Sequence, residues 1–173
     1  MSINDNIGFA SVAAVDAWKD AGFNLPGDDD DTVDWDTGVI AGSGIGGMDT
    51  IATMVVPLVN EGRVRRLGSR IVEQVMGSGT SARISGLIGA GNQVTSNSSA
   101  CSTSNEAVIE AMWRIRMGLA KRMVAGGSEG ATPYIWGGFD AMRVICRKFN
   151  DNPTAGSRPM SASAAGFVPG SGG

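Results

Sequence analysis

The stretch Gln93-Val-Thr-Ser-Asn-Ser-Ser-Ala-Cys101-Ser-Thr-Ser-Asn105 decides how this chain reads. An extended run, residues 93–97, leads into a tight turn of small residues. The turn leads into a strongly helical segment, residues 106–119. That order puts Cys101 at or near a helix N-terminus, where unpaired backbone N–H groups and the helix dipole favour a thiolate. Ser99, Ala100 and Ser102 are small enough to let an acyl group reach the sulfur, which is how an acyl-transfer nucleophile is built. The competing reading is an inert, buried small hydrophobe, the commonest fate of a free cysteine. Thiolate chemistry also needs a base and an oxyanion site, and the chain has no histidine. Either Cys101 is not a nucleophile, or its partners lie outside these residues.

Working outward, the helix after the turn carries Val108, Met112, Ile115 and Leu119 on one face. Glu110 and Arg114 form an i,i+4 pair outside that face. Met123-Val-Ala-Gly-Gly127 and Gly38-Val-Ile-Ala41 read as short apolar strands. Residues 9–21 form an amphipathic helix with Phe9, Val12, Ala13 and Ala17 inward, closed by Gly22. Residues 48–60 and 81–87 are helical, with breaks at Gly86, Gly89 and Gly91. Residues 132–145 are partly helical around Gly137 and Gly138, which puts Cys146 among helical apolar neighbours, Val144 and Ile145. Asn150-Asp-Asn-Pro153 is a turn. Strands alternating with helices imply an α/β domain with a mostly parallel sheet covered on both faces. The expected organisation is a single domain over all 173 residues.

Composition narrows the function. A net charge of −3 makes no case for nucleic acid. No run of 18 apolar residues suggests a membrane span, and no basic-then-apolar start suggests a signal peptide. The two cysteines, 101 and 146, are far from any metal-ligand spacing, so no metal or cofactor is expected and a cytoplasmic, reducing setting fits. Asp28–Asp31 with Asp34 and Asp36 lacks the glycine and terminal glutamate of a calcium loop and reads as a solvated turn. Gly42, Gly44 and Gly47 satisfy G-x-G-x-x-G after a strand, the formal dinucleotide fingerprint. The acidic partner expected about 20 residues on is missing, since Glu61 ends a helix instead of a strand. A tight turn lining a pocket is the better reading.

Ser99-Ala-Cys101-Ser-Thr-Ser resembles the active-site turn of the β-ketoacyl-acyl-carrier-protein synthases, the condensing enzymes of fatty acid synthesis. Four further segments match that family in order. They are Gly38-Val-Ile-Ala-Gly-Ser-Gly-Ile-Gly-Gly47, Met123-Val-Ala-Gly-Gly-Ser-Glu129, residues 137–159 with Gly137-Gly-Phe-Asp-Ala-Met142, and Gly166-Phe-Val-Pro-Gly-Ser-Gly-Gly173. The glycine-rich loop leans toward the type II synthases, with type I second. The resemblance implies a thiolase-like layered αβα, half of a five-layer αβαβα fold, with this chain inside the N-terminal half. In that family two catalytic histidines and a lysine lie in the C-terminal half, which accounts for a nucleophile without a base.

Carried across, the resemblance makes Cys101 the nucleophile and its backbone N–H one oxyanion donor. Ile45 and Phe139 become acyl-pocket residues, and Glu129 an acid near the site with a structural hydrogen-bonding role. It implies acyl-carrier protein and its acyl and malonyl thioesters as partners, a homodimer, and no cofactor. Three departures stand out. Met160-Ser-Ala-Ser-Ala-Ala165 replaces an aromatic, an Asp and several charged residues, Ser171 replaces an acid between glycines, and Val144-Ile-Cys-Arg147 replaces a small polar stretch. A polyketide ketosynthase domain and a non-catalytic domain of the same fold remain open alternatives.

Overall fold

The computed structural model describes residues 3–173. Its contacts divide the chain into two compact units, one up to Gly130 that also takes in Ser171–Gly173, the other Ala131–Gly170.

The first unit is built on β1 (Thr37–Gly42), every residue of which is buried. Parallel sheets bury strands on both faces, so such strands read as near-continuous apolar runs, and Gly38-Val-Ile-Ala41 is one. β1 is the middle strand of a parallel sheet of order β2-β1-β3, with β2 Val94–Thr95 and β3 Arg122–Gly127. Val39 pairs with Val94, and Gly42 with Gly127. Two helices cover one face: α1 (Asp5–Asp20) and α5 (Gly79–Ile88) pack on Val39 and Ala41 through Ala10, Ala14, Trp18, Ile84 and Ile88. The opposite face carries α6 (Thr103–Arg116), whose Ala107 and Ala111 lie on Ile40, Met123 and Ala125. Alternation along β1 sends neighbouring residues to opposite cores, and the layered parallel αβα arrangement follows.

Between β1 and β2 the chain runs through α2 (Met48–Thr50), a π-helical stretch Ile51–Val55, α3 (Val56–Asn60) and α4 (Ile71–Val75). The expected helix over residues 48–60 is therefore continuous but widened ahead of Pro57. Proline has no N–H to donate to the carbonyl four residues back, and its ring crowds that carbonyl.

Four helix expectations change. On α1 the buried stripe is Ile7, Ala10, Ala14 and Trp18, while Phe9, Val12 and Ala17 face outward. Gly86 lies inside α5 without breaking it, and the left-handed stop is Gly89 at φ 69°. On α6, Val108, Met112 and Ile115 are exposed, as is Leu119 beyond its end. Ile40 and Met123 fill the space beneath the helix, so Ala107 and Ala111 set the contact and the large residues point away. Arg114 donates to Asn92 (3.2 Å) and Glu110 accepts from Gln93 (3.5 Å), in place of the expected Glu110–Arg114 pair.

The start of the sheet is pinned by charge. Asp34 accepts from the buried Thr37 hydroxyl (2.6 Å), from Arg122 (2.7 Å) and from the Asp36 N–H (3.0 Å). Burial pushes the Asp34 carboxyl up, but hydrogen bonds from Thr37, Arg122 and Asp36 and the Arg122 charge outweigh it, so the net shift is downward. A depressed carboxylate stabilises the fold above its unfolded value of 3.8, and that contribution disappears as pH falls through the lower folded value. Asp34→Asn should therefore cost about 1 kcal/mol or less at neutral pH, as half-exposed ion pairs do, and should flatten the loss of stability below about pH 4. Urea midpoints across that range check it, and an unchanged slope would remove Asp34 from the clamp. Asp28–Asp31 are exposed, as a solvated turn requires.

In the second unit, Thr132 caps α7 (Pro133–Ala141), accepting from the Ile135 N–H (3.4 Å), with Pro133 preset for the first turn. Phe139 packs edge-on against Phe167, with ring centroids 5.9 Å apart. Ile145 bridges Phe167, and the Cys146 N–H donates to the Phe167 carbonyl (2.8 Å). Cys146 is thus in extended backbone and not in a helix, because α7 ends at Ala141 and Arg143 turns left-handed at φ 59°.

Candidate active site

β2, the turn of residues 96–102 and α6 present Cys101. The helix begins at Thr103, three residues earlier than its apolar periodicity suggests, with Ser102 as its N-cap. Cys101 therefore stands immediately before the cap. Ala100 is held left-handed at φ 51°, a conformation rare and strained for a residue with a Cβ, and such residues gather at functional sites. Side chains lock the turn. The buried Thr103 hydroxyl donates to the Ala100 carbonyl (2.8 Å) and accepts from the Ser99 N–H (2.8 Å). Asn97 donates to the Thr103 carbonyl (2.7 Å), and the Ser99 hydroxyl donates to Glu106. The outcome is an exposed thiol on a rigid support. Among the described residues nothing accepts the Cys101 N–H.

Cys101 opens on a cleft of about 380 Å³ whose walls include Gly42, Ser43, Gly44, Ser128 and Glu129. Here the ends of β1 and β3 meet the head of α6, and glycines allow the approach. A Cβ on Gly127 would sit 3.2 Å from Ser104 Cβ, and one on Gly44 would sit 3.4 Å from the Ala100 carbonyl oxygen. Glu129 anchors the wall. Its carboxylate accepts the Ser43 hydroxyl (2.7 Å) and the Gly44 N–H (3.0 Å), and its backbone exchanges two hydrogen bonds with Gly172. Ser43 in turn accepts from the Gly46 N–H (2.8 Å). The G-x-G-x-x-G loop thus spends its donors on the chain's own carboxylate and hydroxyl, where a nucleotide site would offer them to phosphate. Gly47 serves close packing, since a Cβ there would lie 2.2 Å from the Gln74 carbonyl oxygen. Glu61 pairs with Arg63 (2.6 Å) on the surface.

Ile45 lines a second groove, also about 380 Å³, which shares Ser43 and Gly44 with the Cys101 cleft and continues along Val94–Ser98. The Asn97 Oδ1 beside it is a buried acceptor with no partner among the described residues. The structure therefore brings Cys101 and Glu129 to one cleft, and sets Ile45 on the far side of the Gly44 wall. Phe139 belongs to the second unit. Ser43, Asn97, Thr103 and the buried pair Ser128–Asn6 (2.5 Å) escaped the sequence reading, because polar side chains that serve backbone groups carry no periodic signal.

Cys101 thus stands at a strand–turn–helix junction over a small-residue cleft, at the edge of a parallel αβα layer. The chain matches the family described as "Beta-ketoacyl synthase, N-terminal domain" over residues 2–173, and belongs to it. It is 36% identical over 175 residues to the 3-oxoacyl-[acyl-carrier-protein] synthase I, chloroplastic, of Arabidopsis thaliana, covering 98% of this chain and 36% of that protein. It is also 36% identical over 168 residues to 3-oxoacyl-[acyl-carrier-protein] synthase 2 of Rhizobium meliloti, covering 95% and 38%. The chain thus spans little more than a third of these curated relatives. Among solved structures, a β-ketoacyl synthase from Burkholderia phymatum matches with TM-score 0.79 at 27% identity, over 96% of this chain and 40% of that one. A type II PKS acyl-carrier protein in complex with its ketosynthase bound to the hexaketide matches with TM-score 0.81 at 26% identity, over 97% and 41%.

Proposed function

We propose that Cys101 is the nucleophile of a 3-oxoacyl-[acyl-carrier-protein] synthase and that this chain supplies the acyl-accepting part of the enzyme. The observation that carries the proposal is the exposed Cys101 thiol, raised by a left-handed Ala100 over a glycine-walled cleft. The sulfur attacks the thioester carbonyl, a new S–C(acyl) bond forms, and the carrier leaves as its thiol. The Cys101 N–H is free to meet the oxyanion in the tetrahedral intermediate. Ile45 and Phe139 are the proposed acyl-pocket residues, and acyl-carrier protein is the proposed donor. The named ketosynthase–carrier complex among the structural relatives supports the donor assignment. That relative also favours a second reading, a polyketide ketosynthase. A homodimer and a cytoplasmic setting complete the proposal; the family resemblance supports the dimer.

The test is acyl transfer to the purified chain from octanoyl-N-acetylcysteamine, read by peptide mass spectrometry. The acyl mass should appear on Cys101, be absent from Cys146, and vanish in Cys101→Ser. Equal acylation of the half-buried Cys146 would sink the assignment.

A further inference from the structure

We infer that Glu129 is a positioning residue that shapes the cleft beside Cys101, a role that rests on Cys101 as the acyl acceptor. Four contacts converge on it from two separate stretches of chain. The Ser43 hydroxyl and the Gly44 N–H end on its two carboxylate oxygens, and Gly172 takes both its N–H and its C=O. Gly44 is pressed between that carboxylate and the Cys101 turn. A Cβ there would lie 2.9 Å from Glu129 Oε2 and 3.4 Å from the carbonyl oxygen of Ala100. Ala100 is the strained residue that presents the thiol. Glu129 thus holds the loop of residues 42–47 at a fixed distance from the turn, and that distance is the width of the cleft. Ser43 is buried, so removing the carboxylate strands a buried hydroxyl and a loop N–H, and unsatisfied polar groups of that kind force rearrangement.

The requirement is for an acceptor facing the Gly44 N–H and a hydrogen-bonding partner for Ser43 Oγ, not for charge. Glutamine meets it. Its amide oxygen accepts the Gly44 N–H, and its amide nitrogen donates to Ser43 Oγ. Alanine meets neither need. A residue acting through its charge, on the thiol or on a proton, would fail as glutamine and as alanine alike.

The test compares alkylation of Cys101 by iodoacetamide and by N-octyl iodoacetamide in the wild-type chain, Glu129→Gln, Glu129→Ala and Ser43→Ala. The ratio of the two rate constants, divided by the same ratio for N-acetylcysteine, reports how well the cleft holds an alkyl tail and cancels the intrinsic reactivity of the thiol. Wild type and Glu129→Gln should share an octyl preference. Glu129→Ala should lose it by about fivefold, roughly the burial of one or two methylenes. Ser43→Ala removes one donor to the carboxylate and the acceptor of the Gly46 N–H but leaves the Gly44 N–H on Glu129; it should fall between, and it carries the test if Glu129→Ala does not fold. An unchanged preference in Glu129→Ala or Ser43→Ala overturns the inference. So does loss of preference in Glu129→Gln equal to that in Glu129→Ala, or a wild type with no preference at all. Acyl transfer is not part of this readout, so failure of the proposed function and failure of the Glu129 role are read separately.

Discussion

Gly42→Ala should destabilise the first unit by at least about 3 kcal/mol, the upper end of what overpacking costs. Gly42 ends β1 where the strand passes under the segment leading to Cys101. A Cβ there would sit 2.0 Å from the Asn97 carbonyl oxygen, 2.8 Å from Thr103 Cγ2 and 3.0 Å from Asn97 Oδ1. The nearest atom is backbone and cannot swing aside, and Asn97 is held by its bond to the Thr103 carbonyl. Relief would mean moving β1 away from the turn. A domain of this size has only about 5–15 kcal/mol in hand. Gly126 in β3 is the control, because a Cβ there meets nothing within 4 Å. Gly126→Ala should be neutral or slightly stabilising, as removal of a flexible residue from a strand usually is. Urea unfolding of both variants checks the contrast. Equal midpoints would mean that the end of β1 is not packed against Asn97.

The same glycine shows what was legible in the sequence. Apolar strands alternating with helices announced the parallel layered fold, and the ordered motifs announced the family. The helix faces were less legible. Side-chain hydrophobicity favoured Val108, Met112 and Ile115 as the buried stripe of α6, but the helix lies on Ile40, Met123 and Ala125 through Ala107 and Ala111. Which face is buried depends on the partner surface, and periodicity alone does not describe it. The start of α6 at Thr103 was also hidden. Its first turn is polar, and the signal is a threonine hydroxyl serving the Ala100 carbonyl.

At the site, the sequence pointed to Cys101 and Glu129, and the structure places both on one cleft. The sequence did not indicate that Ser43 and Gly44 are the partners of Glu129, because 85 or more residues separate them. Nor did it indicate that Ala100 carries the strain. Alanine is no marker of a left-handed conformation, and only its neighbours on all sides force it there.

The 173-residue chain on its own should accept an acyl group at Cys101 and go no further. Condensation needs loss of carbon dioxide from a malonyl thioester, which leaves an enolate, and attack of that carbanion on the acyl-Cys101 carbonyl. Both the enolate and the tetrahedral oxyanion need donors aimed at them. One such donor is worth about 3–4 kcal/mol, or about 10²–10³ in rate. The chain contains no histidine, and the Glu129 oxygens on the cleft wall are acceptors already engaged by Ser43 and Gly44, not donors. Two missing donors together remove about 10⁴–10⁶ in rate. Acylation suffers less, since a thiolate is already a strong nucleophile and the Cys101 N–H remains available to the first intermediate. Incubating the chain with octanoyl- and malonyl-carrier protein should therefore give acyl-Cys101 in a single turnover and no 3-oxoacyl product. Product formed above the rate without the chain would show that donors already present in these residues suffice, and that histidine is not required.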